Sequence, residues 1–210
     1  MLSTYYTIKQ NGSHTIDIKK SQFICSLYRI QSEEDAKEII ASIKKEHWKA
    51  NHNCSAFVIG DNQDIQRSSD DGEPSGTAGV PMLEVLKVKQ LHNVLAVVTR
   101  YFGGTKLGAG GLIRAYSQSV SEAIAHIGLV VGKLQQEVHI EVDYATHNKL
   151  DYYLQQQTIT VKDTSFTDKV CVIAMVDEAD KQTFKENLIN LLNNQCVITF
   201  GSVTYMERPI

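Results

Sequence analysis

VTRYFGGTKLGAGGLIRAY, residues 98–116, reads as the end of an apolar strand, a glycine-rich turn and the opening of an amphipathic helix. Upstream, RSSDDGEPSGTAGVP at 67–81 is a second glycine-rich loop, this one acidic, that runs into an apolar segment. The two loops concentrate charge and glycine where core patterning would otherwise dominate, which is the layout of a built site and not of a linker. Glycines let the backbone turn tightly and approach a ligand closely. A helix that opens on such a loop presents unsatisfied N–H groups and a partial positive charge.

Outward from this stretch the elements follow from periodicity. Val94 to Thr99 is a continuous apolar run and predicts a strand buried on both faces. Leu112, Ala115, Tyr116, Val120, Ala123, Ile124 and Ile127 share one helical stripe that stops near Gly128. Thr77 to Val88 reads as a helix in which Pro81 is tolerable only in the first turn, where its missing N–H has no intrahelical partner. Cys54 to Gly60 reads as a strand closed by a turn, with Ile65 to Arg67 as its short antiparallel partner. Nearer the amino terminus HTIDIKK and SQFICSLYRI are extended, with Phe23, Cys25 and Leu27 on one face. The helix after them is capped by Ser32, with Asp35 completing a capping box and Ala36, Ile39, Ile40 and Ile43 on its apolar side.

A boundary is expected at Gly132-Lys133, giving domains at 1–132 and 133–210. In the second, Val138, Ile140 and Val142 alternate as a strand, and Leu150, Tyr153 and Leu154 mark a helix. Strands near 158–166 and 169–177, a helix through Phe184, Leu188, Leu191 and Leu192, and a strand from Cys196 to Tyr205 complete it. That order, β-α-β-β-α-β, is the ferredoxin-like split arrangement. Periodicity makes the first half α+β without specifying its topology. The second half holds no glycine-rich loop and no cluster of catalytic residue types, so it reads as a docking module.

Bulk properties exclude several classes. The net charge is −3, with 14 basic and 13 acidic residues in 1–132 against 7 and 11 in 133–210. A globally basic surface of the kind a dedicated duplex binder carries is absent, so any nucleic-acid contact must be local. Cys25, Cys54, Cys171 and Cys196 are widely spaced with no C-x-x-C pair, the pattern of reduced core thiols. No apolar run approaches the roughly 20 residues of a membrane span, and no signal peptide opens the chain, so a cytoplasmic protein without membrane partners is expected.

Three motifs in fixed order carry a resemblance: NHNCSAFVIG at 51–60, SDDGEPSGTAGVP at 69–81 and VTRYFGGTKLGAGGLIRAY at 98–116. They resemble the signature of the IMPACT family, whose bacterial branch is called the YigZ family. The resemblance implies a ribosomal-protein-S-five-domain-2-like fold for the first domain. It also implies a ferredoxin-like second domain that looks like domain V of elongation factor G. The pair of domains is similar to domains IV and V of that factor. Eukaryotic members of the family are linked to translational control through binding an activator of a stress kinase, so the resemblance implies a translation-associated role.

The candidate anion or nucleic-acid site combines Arg100, Tyr101, Lys106 and Arg114 with the glycines Gly103, Gly104, Gly110 and Gly111. Tyr101 is the ring expected to be exposed, and Phe102 is expected to pack inward. Neither nucleotide fingerprint is met, because no Lys-Ser/Thr follows the spaced glycines and no G-x-G-x-x-G is present. No ATP, NAD or other cofactor is therefore indicated. Asp70, Asp71 and Glu73 shape the site: as a turn cap, as an acid–base pair or cation site, or by pairing with Arg100 or Arg114 to hold the loops together. His47, His52 and Cys54 have metal-ligand types but match no zinc spacing, and no catalytic residue or metal ligand is assigned. Three readings follow: a translation-associated regulator binding RNA or the ribosome, an enzyme acting on a phosphorylated small molecule or phosphodiester, and an interaction module for a translation factor. The first is preferred, non-enzymatic and without a metal; the oligomeric state is left open.

Overall fold

The computed structural model describes residues 2–210, which divide into two compact units: 5–131 with 208–210, and 2–4 with 132–207. The fold is α+β throughout. In chain order the elements of the first unit are β1 (Thr4–Ile8), β2 (Gly12–Ile18), β3 (Ser21–Arg29), α1 (Glu33–Glu46), β4 (His52–Ile59), β5 (Ile65–Ser69), α2 (Gly79–Val88), β6 (Val94–Tyr101) and α3 (Ala109–Ile127). Its five-stranded sheet has the order β2-β3-β6-β4-β5, every pairing antiparallel.

The run at 94–99 lands at the centre of this sheet because it has apolar side chains for two cores. Val94, Ala96 and Val98 join Met82 and Leu86 of α2 and Leu112, Ala115 and Val120 of α3. Leu95 and Val97 face the other way and pack with Phe57, Ile59 and the Ala36 and Ile43 stripe of α1. Burying a large aliphatic side chain is worth about 2 kcal/mol, so an edge position would forfeit several such contacts. Helix α1 begins at its capping box: Ser32 Oγ accepts from Asp35 N–H at 3.1 Å, and Asp35 Oδ2 accepts from Ser32 N–H at 3.1 Å. Helix α2 begins at Gly79 instead of Thr77, with Pro81 in its first turn.

The second unit follows β-α-β-β-α-β. Strand β7 (Leu129–Val142) leads to α4 (Tyr144–Gln156), β8 (Thr160–Phe166), β9 (Val170–Asp177), a short 3-10 turn at 178–180, α5 (Lys181–Leu191) and β10 (Val197–Pro209). Strand β9 lies between β7 and β8, and β10 pairs with β7, the ferredoxin-like order. Val138, Ile140, Val170, Val172 and Ala174 meet Leu150, Leu154, Phe184 and Leu188 in a core of its own. Among the described residues no helix is long and apolar enough to cross a membrane.

Candidate functional site

Strand pairing places a charge where the core pattern calls for an apolar side chain. Strand β6 alternates Val94, Ala96 and Val98 toward α2 and α3, and the next residue in that series is Arg100. In register it sits between Phe23 of β3 and His52 of β4. Arg100 is only 5% exposed, and a buried guanidinium is tolerable only with a counter-charge and hydrogen-bond partners. Glu73 of the acidic loop supplies them. Its Oε1 accepts from Arg100 Nη1 at 2.6 Å and from Tyr116 Oη at 2.8 Å, and its Oε2 lies 3.8 Å from His52 Nε2. The guanidinium is held between the rings of Phe23 and Phe102, 5.2 and 5.4 Å from their centroids. Its Nε is buried with no hydrogen-bond partner among the described residues.

The surrounding groups are each oriented by a hydrogen bond. His52 Nδ1 lies 2.9 Å from the Asp71 carbonyl oxygen, which only an N–H satisfies, so this nitrogen donates and Nε2 faces Glu73. Burial pushes the Cys54 thiol up to about 12, and its S–H donates to the Asp70 carbonyl at 3.0 Å. At neutral pH Cys54 is thus a thiol and not a thiolate nucleophile. Burial, with Cys54 and Glu73 adding to it, raises Tyr116 far above the usual phenol range, so the hydroxyl keeps its proton and donates to Glu73.

The other two acids of the loop are also engaged. The N-cap of α2 is Ala78, which has no capping oxygen, and Asp70 takes that role from eight residues away. Its carboxylate accepts from the backbone N–H of Gly76 at 2.8 Å, Ala78 at 3.0 Å and Gly79 at 2.8 Å. Burial favours its neutral form, but these three donors prevail and hold the carboxyl below the usual carboxylate range. Asp71 accepts from Asn53 N–H at 2.6 Å and from Lys44 Nζ at 2.5 Å. The run of acids that looks free in the sequence is therefore turned inward, and no group of three or more His, Cys, Asp or Glu among the described residues is arranged to hold a metal ion.

The turn after β6 completes the site. At Gly103 an added Cβ would fall 1.9 Å from the Lys20 carbonyl oxygen, so the close approach of the β2–β3 turn requires glycine here. Gly108, at φ +73°, precedes α3 and offers no side-chain cap to its first turn. A cleft of about 410 Å³ opens at this point, lined by Asn51, His52, Arg100, Phe102, Lys106 and Ala109 among others. Exposed Lys106 and the uncapped start of α3 offer donors to an anion there, while Arg100 is already paired with Glu73, which also lines the cleft.

The residues expected to form one site are distributed unevenly. Arg100 and Lys106 line the cleft, and Gly110 and Gly111 lie in the first turn of α3. Arg114 is exposed further along α3, and its guanidinium reaches back to within 3.8 Å of the Cβ position of Gly110. Tyr101 points to the opposite face of the sheet from Arg100, where its hydroxyl lies 2.9 Å from His47 Nδ1. Phe102 overturns the expectation of inward packing: it is 43% exposed, because β6 ends at Tyr101 and the pleat no longer directs the following side chain. Asn51, Asn53 and the polar end of Tyr116 join the site beyond the residues expected from the sequence. Asn51 Oδ1 accepts from Phe102 N–H at 2.8 Å, and Asn53 Oδ1 accepts from the Thr99 hydroxyl at 2.7 Å. Their signal was the polar NHN run opening an otherwise apolar strand. The Tyr116 hydroxyl had none, since it sits on an apolar helical stripe.

Comparison with known proteins bears on both units. Residues 19–124 match the Impact N-terminal domain, and residues 140–195 match a domain of unknown function, DUF1949. The IMPACT family member YvyE of Bacillus subtilis (strain 168) is 50% identical over 210 residues, covering 100% of this chain and 97% of that protein. An IMPACT family member of Haemophilus influenzae is 35% identical over 184 residues, covering 87% of this chain and 89% of its own length. A crystal structure described only as that of a hypothetical protein superposes with a TM-score of 0.60 at 29% identity, over 94% of this chain and 97% of the other.

Proposed function

The chain belongs to the IMPACT family, and on that premise we propose that it is a cytoplasmic, translation-associated regulatory protein that contacts RNA or the ribosome through the turn between β6 and α3. The observation that carries this reading is the cleft itself: an uncapped helix start and an exposed lysine converge on one opening, over a floor formed by the Arg100–Glu73 pair. Donors of this kind suit phosphate oxygens, and Lys106 adds a charge free to meet them. The glycines give a backbone phosphate room to approach. Arg100, its charge met by Glu73, gives the cleft a rigid floor, and Arg114 extends the positive surface along α3.

A hydrolytic reading needs a free base or nucleophile at the cleft. The Cys54 thiol, the Asp70 and Asp71 carboxylates and Glu73 are each engaged in holding the fold, which leaves His52, at the cleft with its Nε2 3.8 Å from Glu73, as the candidate base of that reading. The same engagement separates the proposed function from a metal-assisted one. Cosedimentation with ribosomes and with total cellular RNA across a salt series tests the reading. Wild type is expected to bind in a salt-sensitive way, and Lys106→Ala/Arg114→Ala to lose about tenfold or more in affinity. Binding insensitive to both salt and the substitutions would transfer the function to a protein partner. Absence of binding by wild type would overturn it.

A further inference from the structure

Resting on that reading, we infer that the end of the first unit carrying the cleft is a platform for single-stranded RNA, with Trp48 and Phe102 as base-stacking residues and a lysine rim as its phosphate contacts.

The topology assembles this end from four loops. The β2–β3 turn at 19–20 sits where β3 meets the end of β6, since Gln22 pairs with Tyr101 and Phe23 with Arg100. The α1–β4 segment arrives beside it, with Asn51 N–H donating to the Arg100 carbonyl at 2.9 Å and Asn51 Oδ1 accepting from Phe102 N–H. The loops before α2 and α3 close the other sides. Trp48 lies three residues before Asn51, next to His47, whose ring meets Tyr101 edge-on at 6.0 Å. Trp48 is 73% exposed, although tryptophan is a residue that folding normally buries extensively. Phe102 is the second exposed ring at this end, with one side covered by Arg100. Phe102 lines the cleft, whereas Trp48 follows α1, the helix on the sheet's other face. Two flat apolar surfaces left in water at one end of the unit are an interaction feature, and neither is needed by the cores already described.

The charges around them decide the partner. Lys19, Lys20, Lys45, Lys49 and Lys106 are all exposed at this end, and Lys49 Nζ sits 5.0 Å over the Trp48 ring. The acids that would neutralise them are engaged elsewhere: Asp70 on the start of α2, Asp71 on Asn53 and Lys44, Glu73 on Arg100 and Tyr116. Glu46 and Asp17 remain as exposed acids. A protein of net charge −3 thus carries a local positive edge interleaved with exposed rings. Lysines alone would suit any polyanion. Rings with accessible faces add stacking on bases, which a duplex keeps buried in its own stack and a single strand makes available.

Trp48 is the only tryptophan of the chain, so its fluorescence reports on this surface alone. Titration with a single-stranded oligouridylate and oligoadenylate, beside a duplex of matched length and polyglutamate, is the test. Labelled-RNA anisotropy follows the variants Trp48→Ala, Trp48→Phe and Phe102→Ala, with circular dichroism confirming the fold. The expected result is quenching by the single strands and not by the duplex, about a tenfold loss of affinity in Trp48→Ala, and retention of most affinity in Trp48→Phe. RNA binding with unchanged fluorescence and unaffected Trp48→Ala affinity would overturn the stacking platform while leaving the proposed function standing. Equal binding of the duplex, or equal quenching by polyglutamate, would likewise overturn it. No binding of RNA and no ribosome cosedimentation would remove both.

Discussion

Glu73 holds three groups together, which makes it the residue whose replacement is most informative. Its carboxylate is the counter-charge of a guanidinium that the fold keeps out of water, and it also satisfies the Tyr116 hydroxyl. In Glu73→Gln the geometry is nearly conserved but Arg100 is left as an uncompensated buried charge. We expect the urea unfolding free energy to fall by about 3–5 kcal/mol. The double variant Glu73→Gln/Arg100→Met should regain most of that loss, because the introduced amide still accepts from Tyr116 and no buried charge remains. A double variant as unstable as the sum of its parts would show that the pair is not coupled. The pairing of an acidic-loop residue with Arg100 was open to the sequence as one of several roles, since opposite charges in two adjacent motifs suggest it. The choice of Glu73 over Asp70 and Asp71 was not. Three carboxylates within four positions differ only in where the turn aims them, and that aim is set by Asp71 and Gly72 at φ +44° and +89°.

At the scale of elements, the two helices framing the site begin differently. Helix α1 carries its own capping box, readable at Ser32 and Asp35 because cap and partner are three residues apart. Helix α2 depends on Asp70, a non-local cap that binds the acidic loop to the helix start. Asp70→Ala should cost about 2 kcal/mol at neutral pH, at the upper end for a cap because three N–H groups lose their acceptor. The pH dependence follows from the depressed carboxyl of the folded chain. The unfolded carboxylate takes up its proton near about 3.9, whereas the folded one resists protonation to lower pH. The stability that Asp70 contributes is fully present above pH 4 and is lost as pH falls through its folded value. Unfolding midpoints of wild type and Asp70→Ala should differ at pH 7 and converge in strong acid. A gap that persists unchanged would mean that the charge is not what caps α2.

At the scale of the molecule, net charge and local charge point in opposite directions. The chain as a whole is acidic, so attraction to a polyanion must come from one edge. If Lys20, Lys45, Lys49 and Lys106 meet four phosphates of a single strand, the affinity should fall about fiftyfold between roughly 50 and 200 mM salt, from a slope of about −0.7 per phosphate. Removing one of these lysines should lower the slope by about that unit, whereas an exposed lysine on the second unit, Lys149, should leave it unchanged.

The amino-acid sequence by itself determined most of the elements, the two-sided burial of the 94–99 strand, the split β-α-β-β-α-β second half and the α+β class, because these follow from local periodicity and the exclusion of apolar side chains from water; the strand at Thr4–Ile8 was not among them. It also marked the two glycine-rich loops as the candidate site, through their concentration of charge and glycine. Only the tertiary structure decided which face of the sheet each site residue occupies, separating Tyr101 from Arg100 and exposing Phe102 where the strand stops. It also decided that Asp70 and Glu73 serve the interior and that Asp71 pairs with Lys44, so that Lys19, Lys20, Lys45, Lys49 and Lys106 have no ion pair among the described residues. Those outcomes depend on strand register and on backbone turns between residues far apart in the chain, which place a carboxylate within hydrogen-bonding distance of one donor or another, and a one-residue pattern carries no information about that distance.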